Sequence, residues 1–323
     1  MKKIFLTILF ILFSCSDKES SSIDENNNTG CIEGFSTAEI LVNINEEIFN
    51  NDESVNKYSR YSWSSDGSDR ILNGNGIPNH EVGTFPNNDN PNTISEQNVN
   101  EKFTLCPQIV SENGLEVGGP ASAIAYALNS VKFDPGTAGR CNDQGVCSLA
   151  QGQGNWNIEA LGHDTFNFGD DMNHAHVQPN GAYHYHGIPE LLVDFLGDNE
   201  GMTLVGWAAD GFPVYARYGF SDPNDSTTKT IALKPSYRLK SQPDPNRPMV
   251  LTRLSGGPGQ GITPNTPIAM GAFTQDYEYI DGLGDLDQCN GRFGVTPEFP
   301  EGIYYYVVSD DFPFFTRCLK GNI

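Results

Sequence analysis

Four of the six histidines fall within thirteen residues, and that run constrains the fold more than any other feature of the chain: Asn173-His174-Ala175-His176-Val177-Gln178-Pro179-Asn180-Gly181-Ala182-Tyr183-His184-Tyr185-His186. Pro179-Asn180-Gly181 has turn chemistry, because proline presets φ at the first position and glycine accepts positive φ at the third. The spacing predicts a three-residue hairpin loop with a bulge at Gly181. In that register Gln178 faces Ala182, His176 faces His184 and His174 faces His186. Side chains alternate along a strand, so all four imidazoles share one face. Tyr183 and Tyr185 take the other, with Val177 and Ala175. A two- or four-residue loop would pair His with Tyr instead. Cβ atoms of directly opposed residues lie about 4.5–5.5 Å apart, and imidazoles so placed can converge on one cation with bonds of about 2.0–2.1 Å. His174, His176, His184 and His186 are therefore the candidate metal ligands, for a divalent or copper ion whose identity the spacing does not choose. Upstream, His163-Asp164 and Asp170-Asp171 could add a carboxylate ligand or orient a ring. The alternative is a polar hairpin whose His and Tyr only bond their neighbours.

The rest of the sequence frames that hairpin. Acidic residues number 41 against 19 basic, a net charge of −22. No cluster of Lys and Arg is present, so nucleic acid is excluded as a partner. There are 34 Gly and 20 Pro, a composition that suits a loop-rich globular protein and excludes coiled coil, solenoid and polytopic membrane protein. Short alternating runs at 39–44, 203–208, 214–218, 237–240, 277–280 and 302–309 read as strands. Segments 120–131 and 189–196 read as helices, and 73–100 and 241–266 as long surface loops. The expected fold is mainly β (a β-rich α+β class): a single globular domain with long loops and few short helices.

At the N-terminus Lys2 and Lys3 precede a 10-residue apolar run, Ile4 to Phe13, too short to span a bilayer and suited to a signal-peptide core. Leu12-Phe13-Ser14-Cys15 resembles a bacterial lipobox, which makes Cys15 the lipid anchor. Residues 1–14 are then the signal, 15–35 a polar tether and 36–323 the folded domain, placed in the bacterial cell envelope at the outer membrane. Cys15 is one of seven cysteines. The other six read as disulfides in an exported chain: Cys141–Cys147 closes a short loop, Cys289–Cys318 is next, and Cys31–Cys106 follows by elimination.

Ala182-Tyr183-His184-Tyr185-His186-Gly187 resembles the signature of the YHYH-domain proteins, which are bacterial exported proteins. Asp210-Gly211-Phe212-Pro213-Val214-Tyr215, Ser236-Tyr237-Arg238-Leu239-Lys240, Asp276-Tyr277-Glu278-Tyr279 and Asp285-Leu286-Asp287-Gln288-Cys289-Asn290-Gly291 resemble further blocks of that family, in order, from about residue 120 to the end. Many relatives carry a second Tyr-His-Tyr near the C-terminus, where this chain has Tyr304-Tyr305-Tyr306, here expected to be packing residues.

These blocks concentrate the groups that proton transfer needs. G-x-S-x-G, P-loop and dinucleotide fingerprints are all missing. One expectation is a carbon–oxygen lyase or dehydratase that performs β-elimination on a carboxylated (uronic-acid) oligosaccharide. His184, His186, Tyr183 and Tyr185 would exchange protons, and Arg238 or the metal would neutralise the carboxylate. Trp207, Asp210, Asp276 and Glu278 would contact the sugar, with Trp207 as an exposed stacking surface. Asp210 could equally be a turn acid, and Arg238 could simply pair with Asp276 or Glu278. The other expectation is a non-catalytic, copper-type metal-binding lipoprotein, and the third a structural surface protein.

Overall fold

A computed structural model describes residues 31, 36–37, 40, 44–116, 123–197, 200–256 and 265–323. The lipobox, Cys15 and most of the tether lie outside the described residues. The architecture is mainly β, as expected. An antiparallel meander of Ile44–Asn50, Lys57–Ser65, Asp69–Gly74 and Val99–Thr104 forms one sheet. A mixed eight-stranded sheet runs in the order Ala175–Val177, Tyr183–Tyr185, Lys132–Phe133, Ala125–Ala127, Thr203–Ala208, Pro213–Ala216, Ile303–Val308, Gly291–Gly294. Its pairs are antiparallel except Tyr183–Tyr185 beside Lys132–Phe133 and Pro213–Ala216 beside Ile303–Val308. A small third sheet holds Trp156–Asn157, Arg140–Cys141, Val146–Ser148 and Arg253–Ser255.

The central strands of the large sheet are covered on both faces, so they read as unbroken apolar runs rather than alternating ones. Along Ile303–Val308, Tyr304, Tyr306 and Val308 join one core cluster, while Tyr305 and Val307 join the other. The second cluster fills the space between the large sheet and the meander: Trp63, Leu72 and Phe103 meet Trp207, Tyr215 and Tyr305. Disulfides Cys31–Cys106, Cys141–Cys147 and Cys289–Cys318 are formed as expected.

Several local expectations need correction. Instead of a helix at 120–131, the described part of that segment is strand Ala125–Ala127 and a tight turn closed by Ser130 N–H to Ala127 O and Ala127 N–H to Val131 O. Ser130 takes φ +69°, and the Asn129-Ser130 turn chemistry outweighs the helix propensity of the alanines. Segment 73–100 is not a surface loop. Ile77, His80, Val82, Phe85 and Ile94 are buried, so the segment is a core layer without regular structure. Segment 241–266 contains strands Val250–Leu251 and Arg253–Ser255. The expected strand at 39–44 lies mostly outside the described residues. The helix at 189–196 is present as Glu190–Leu196 and ends at Gly197, whose φ of +91° suits a glycine cap.

Candidate metal centre

The hairpin forms in the expected register. Gln178 N–H donates to Ala182 O at 2.9 Å, Gly181 N–H donates to Gln178 O at 2.8 Å, and Gly181 has φ +83°. Ala175 faces Tyr185, His176 faces His184, and Val177 faces Tyr183. His176, His184 and His186 are all buried and share one face. The Nε2 of His186 lies 3.2 Å from that of His176 and 3.0 Å from that of His184. Three nitrogens around one tetrahedral ion at 2.0–2.1 Å would be about 3.3 Å apart.

The other nitrogen of each ring fixes its tautomer. His176 Nδ1 faces Asp170 Oδ1 at 2.5 Å, His184 Nδ1 faces Ala182 O at 3.2 Å, and His186 Nδ1 faces Pro135 O at 3.4 Å. All three partners are acceptors, so each Nδ1 carries the hydrogen, and each Nε2 points its lone pair at the same small volume. Among the described residues no group outside the three rings donates to these Nε2 atoms. Burial, then the neighbouring rings, holds His184 well below the ordinary histidine value. Burial likewise holds His186 down, to about 3. Burial pushes the Asp170 carboxyl up, but the His176 ring, its hydrogen bond and the more distant His186 and His174 bring the net direction down. Phe168 stacks on His176, ring centres 5.7 Å apart. A cavity of about 460 Å³ opens beside His176 and His184.

The fourth expected ligand is elsewhere. His174 has φ +51°, because its N–H closes a turn onto Asp171 O, and its Nδ1 is bound to Ile188 O at 2.9 Å. The backbone ladder still reaches it through His186 N–H to His174 O, but the left-handed residue takes its ring out of the shared face. Of the upstream groups, only Asp170 meets the cluster. Asp171 accepts from Tyr183, and His163 is bound to Glu159 O.

The remaining candidates scatter. Tyr183 and Tyr185 lie on the opposite face, buried. Tyr183 O–H donates to Asp171 Oδ2 at 2.7 Å, and Tyr185 OH sits 2.6 Å from His80 Nε2 and 3.0 Å from Asn129 Nδ2. Neither can exchange a proton with a ligand at the His face. Arg238 is mostly exposed and pairs with Glu278 at 2.9 Å, which the strand pairing places directly opposite it. Trp207 is fully buried, with the Arg70 guanidinium 3.7 Å from its ring centre, so it offers no sugar platform. Asp276 forms a buried two-point ion pair with Arg247 at 2.5 and 2.7 Å. Asp210 is buried and accepts from Tyr306 O–H at 2.6 Å and Gly321 N–H at 3.0 Å; burial pushes its carboxyl up. These four blocks tie core segments together, and none of their residues lines the cavity by the histidines. Sequence reasoning missed that cavity's wall, which comes from the distant segments 89–92, 136–138, 149–151 and Phe168. It also missed Pro135, whose carbonyl carries no side-chain signal.

Fold and site together define a β-rich, disulfide-linked protein with a buried cluster of three histidines able to hold a metal ion. The family model described as YHYH protein matches residues 102–321. The chain belongs to that family. No curated protein and no solved structure matches it.

Proposed function

We propose that this protein binds one transition-metal ion through the Nε2 atoms of His176, His184 and His186, and uses it on a ligand that enters the adjoining cavity. One observation carries the reading: His186 Nε2 lies 3.0 and 3.2 Å from the Nε2 atoms of His184 and His176, all three buried, while every Nδ1 faces an acceptor. Such an arrangement is repulsive unless a cation sits at its focus. Asp170, behind His176, offsets one charge of a divalent ion held by three neutral imidazoles, and the remaining charge would supply Lewis acidity toward an anionic or polarisable group. The chain's own part is to fix the rings through Asp170 and two carbonyls, and to shield the site with Phe168. Imidazole ligands suit zinc, copper and other borderline ions alike. Among the described residues no methionine lines the cavity, so none of them singles out copper.

The use as an elimination catalyst on a uronate is the second reading. It would rest on the metal alone to neutralise the carboxylate, since Arg238, Tyr183 and Tyr185 lie away from the cavity. The lipobox-like Leu12–Cys15 run supports a lipid-anchored place in the cell envelope. The deciding experiment is metal content by mass spectrometry after reconstitution with zinc, cobalt or copper. One ion per chain, lost in a His184→Ala/His186→Ala variant, is expected. No ion in the wild type overturns the reading.

A further inference from the structure

We propose that the cavity beside the three histidines receives a small monocarboxylate with an apolar body, its carboxylate directed to the metal and its hydrocarbon or aryl part against Leu149, Ala150 and Phe168. The inference rests on the metal reading above and names the ligand class of that site. The charge of the wall is the first argument. Among the described residues none that lines the cavity is Lys or Arg, while Asp89 is one of them, in a chain of net charge −22. With Asp170 behind His176 supplying one negative charge, a divalent ion held by three neutral imidazoles is balanced by one further anionic group. A second negative charge on the ligand would find no cation and would be desolvated without a partner.

The polar groups of the wall are the second argument, because the protein already engages most of them. Gln178 Oε1 accepts from Lys132 Nζ at 2.9 Å, and its Nε2 donates to Asp134 Oδ2 at 2.9 Å. Lys132 and Asp134 are themselves paired at 3.0 Å, so the nearest cation is neutralised behind the glutamine. Asn90 Nδ2 donates to Phe168 O and Val177 O at 3.2 and 3.0 Å, Asn92 Nδ2 donates to Val177 O at 2.8 Å, and Thr137 O–H donates to Ile158 O at 2.5 Å. A ligand rich in hydroxyls would lose water contacts there and recover few. What remains for the ligand body is the apolar surface of Ala138, Leu149, Ala150, Phe168 and Pro179. The volume of about 460 Å³ lies within the range of about 300–1,000 Å³ common to small-molecule sites.

The test uses the full-length protein loaded with cobalt(II), whose visible spectrum reports ligands at the ion. Acetate, hexanoate, benzoate and glucuronate are titrated in turn. Each buried methylene is worth about fourfold in affinity, so hexanoate and benzoate should bind at least about tenfold more tightly than acetate. Glucuronate should bind no better than acetate. Equal affinities across the series, or glucuronate tightest, overturn the proposal while leaving the metal site standing. Failure to take up cobalt overturns both. Ala150→Asp places a charge on the exposed part of the wall, away from the rings. It should weaken hexanoate more than acetate and so lose the preference for hexanoate, with cobalt uptake by the three rings as the control. An undiminished preference in that variant also counts against the assignment.

Discussion

The two faces of one hairpin treat buried polar groups in opposite ways. On the tyrosine face, hydroxyls meet their partners: Tyr183 with Asp171, and Tyr185 with His80 and Asn129. His80 Nδ1 faces Glu81 O at 2.8 Å, so its hydrogen is there and its Nε2 accepts from Tyr185 O–H. Tyr185 in turn accepts from Asn129. On the histidine face, a few ångströms away, three acceptors converge with no donor among the described residues. A satisfied network stabilises and specifies a fold. A convergence of like lone pairs costs free energy, and it makes sense as a binding site. Residue type therefore does not separate scaffold from site here: His80 is scaffold on one face, three histidines form the site on the other, and the partners make the difference.

Substitutions at the ligands should break this comparison most visibly. His184→Ala should lower zinc or cobalt affinity by more than about 100-fold, beyond what outer-shell changes usually cost, as read by competition with a chelator of known affinity. An unchanged affinity would show that the histidine face is scaffold like its partner. Asp170→Asn comes next. It keeps the shape but removes the charge that orients His176, and affinity should fall by about 10–100-fold. A loss of folding without a change in affinity would place Asp170 in the scaffold instead.

What could be read from the sequence follows the same division between local and distant causes. The register was legible because Pro179-Asn180-Gly181 fixes the parity of the loop, and parity decides which side chains share a face. His174 was not, because its φ of +51° is set by the turn at Asp171 rather than by the strand. Disulfides followed from count and spacing. The strand Thr203–Ala208 was legible as a strand, and its apolar run is what a strand covered on both faces shows, yet Trp207 read as an exposed stacking surface and is buried. Asp210, Asp276 and Glu278 read as site residues because carboxylates look alike until their partners are known, and Arg247 and Tyr306 are far from them in sequence. Besides Phe168 and the hairpin, the cavity wall joins segments 89–92, 136–138 and 149–151 and Gly256, which only the fold brings together.

The tyrosine face should respond in stability rather than in binding. Tyr185→Phe deletes one hydroxyl and leaves His80 Nε2 without its donor and Asn129 Nδ2 without one of its acceptors. A loss of about 1–3 kcal/mol is expected, measured by denaturant unfolding of the metal-free protein, with metal affinity within about twofold of wild type. A large fall in metal affinity with little loss of stability would mean that the two faces are coupled through the backbone.

The smallest effect sharpens the comparison through pH. Burial, the leading cause, lowers the His80 value, although Glu81 O, Asp171 and Asp52 act to raise it. The folded state thus binds a proton on His80 less readily than the unfolded chain, whose histidine titrates near 6.5 (about the ordinary value). Below that pH the unfolded state holds more protons, so the contribution of His80 to stability is complete above about pH 6.5 and is lost as pH falls toward the depressed folded value. The slope from this one group is at most about 1.4 kcal/mol per pH unit. In metal-free protein, His80→Gln should be less stable at neutral pH yet show a shallower decline between about pH 6.5 and 5. His184 and His186 contribute the same slope to both proteins, so the difference between the two curves isolates His80. Parallel curves would mean that His80 holds no more of the pH dependence than an exposed histidine, and that the tyrosine face is less tightly sealed than its hydrogen bonds imply.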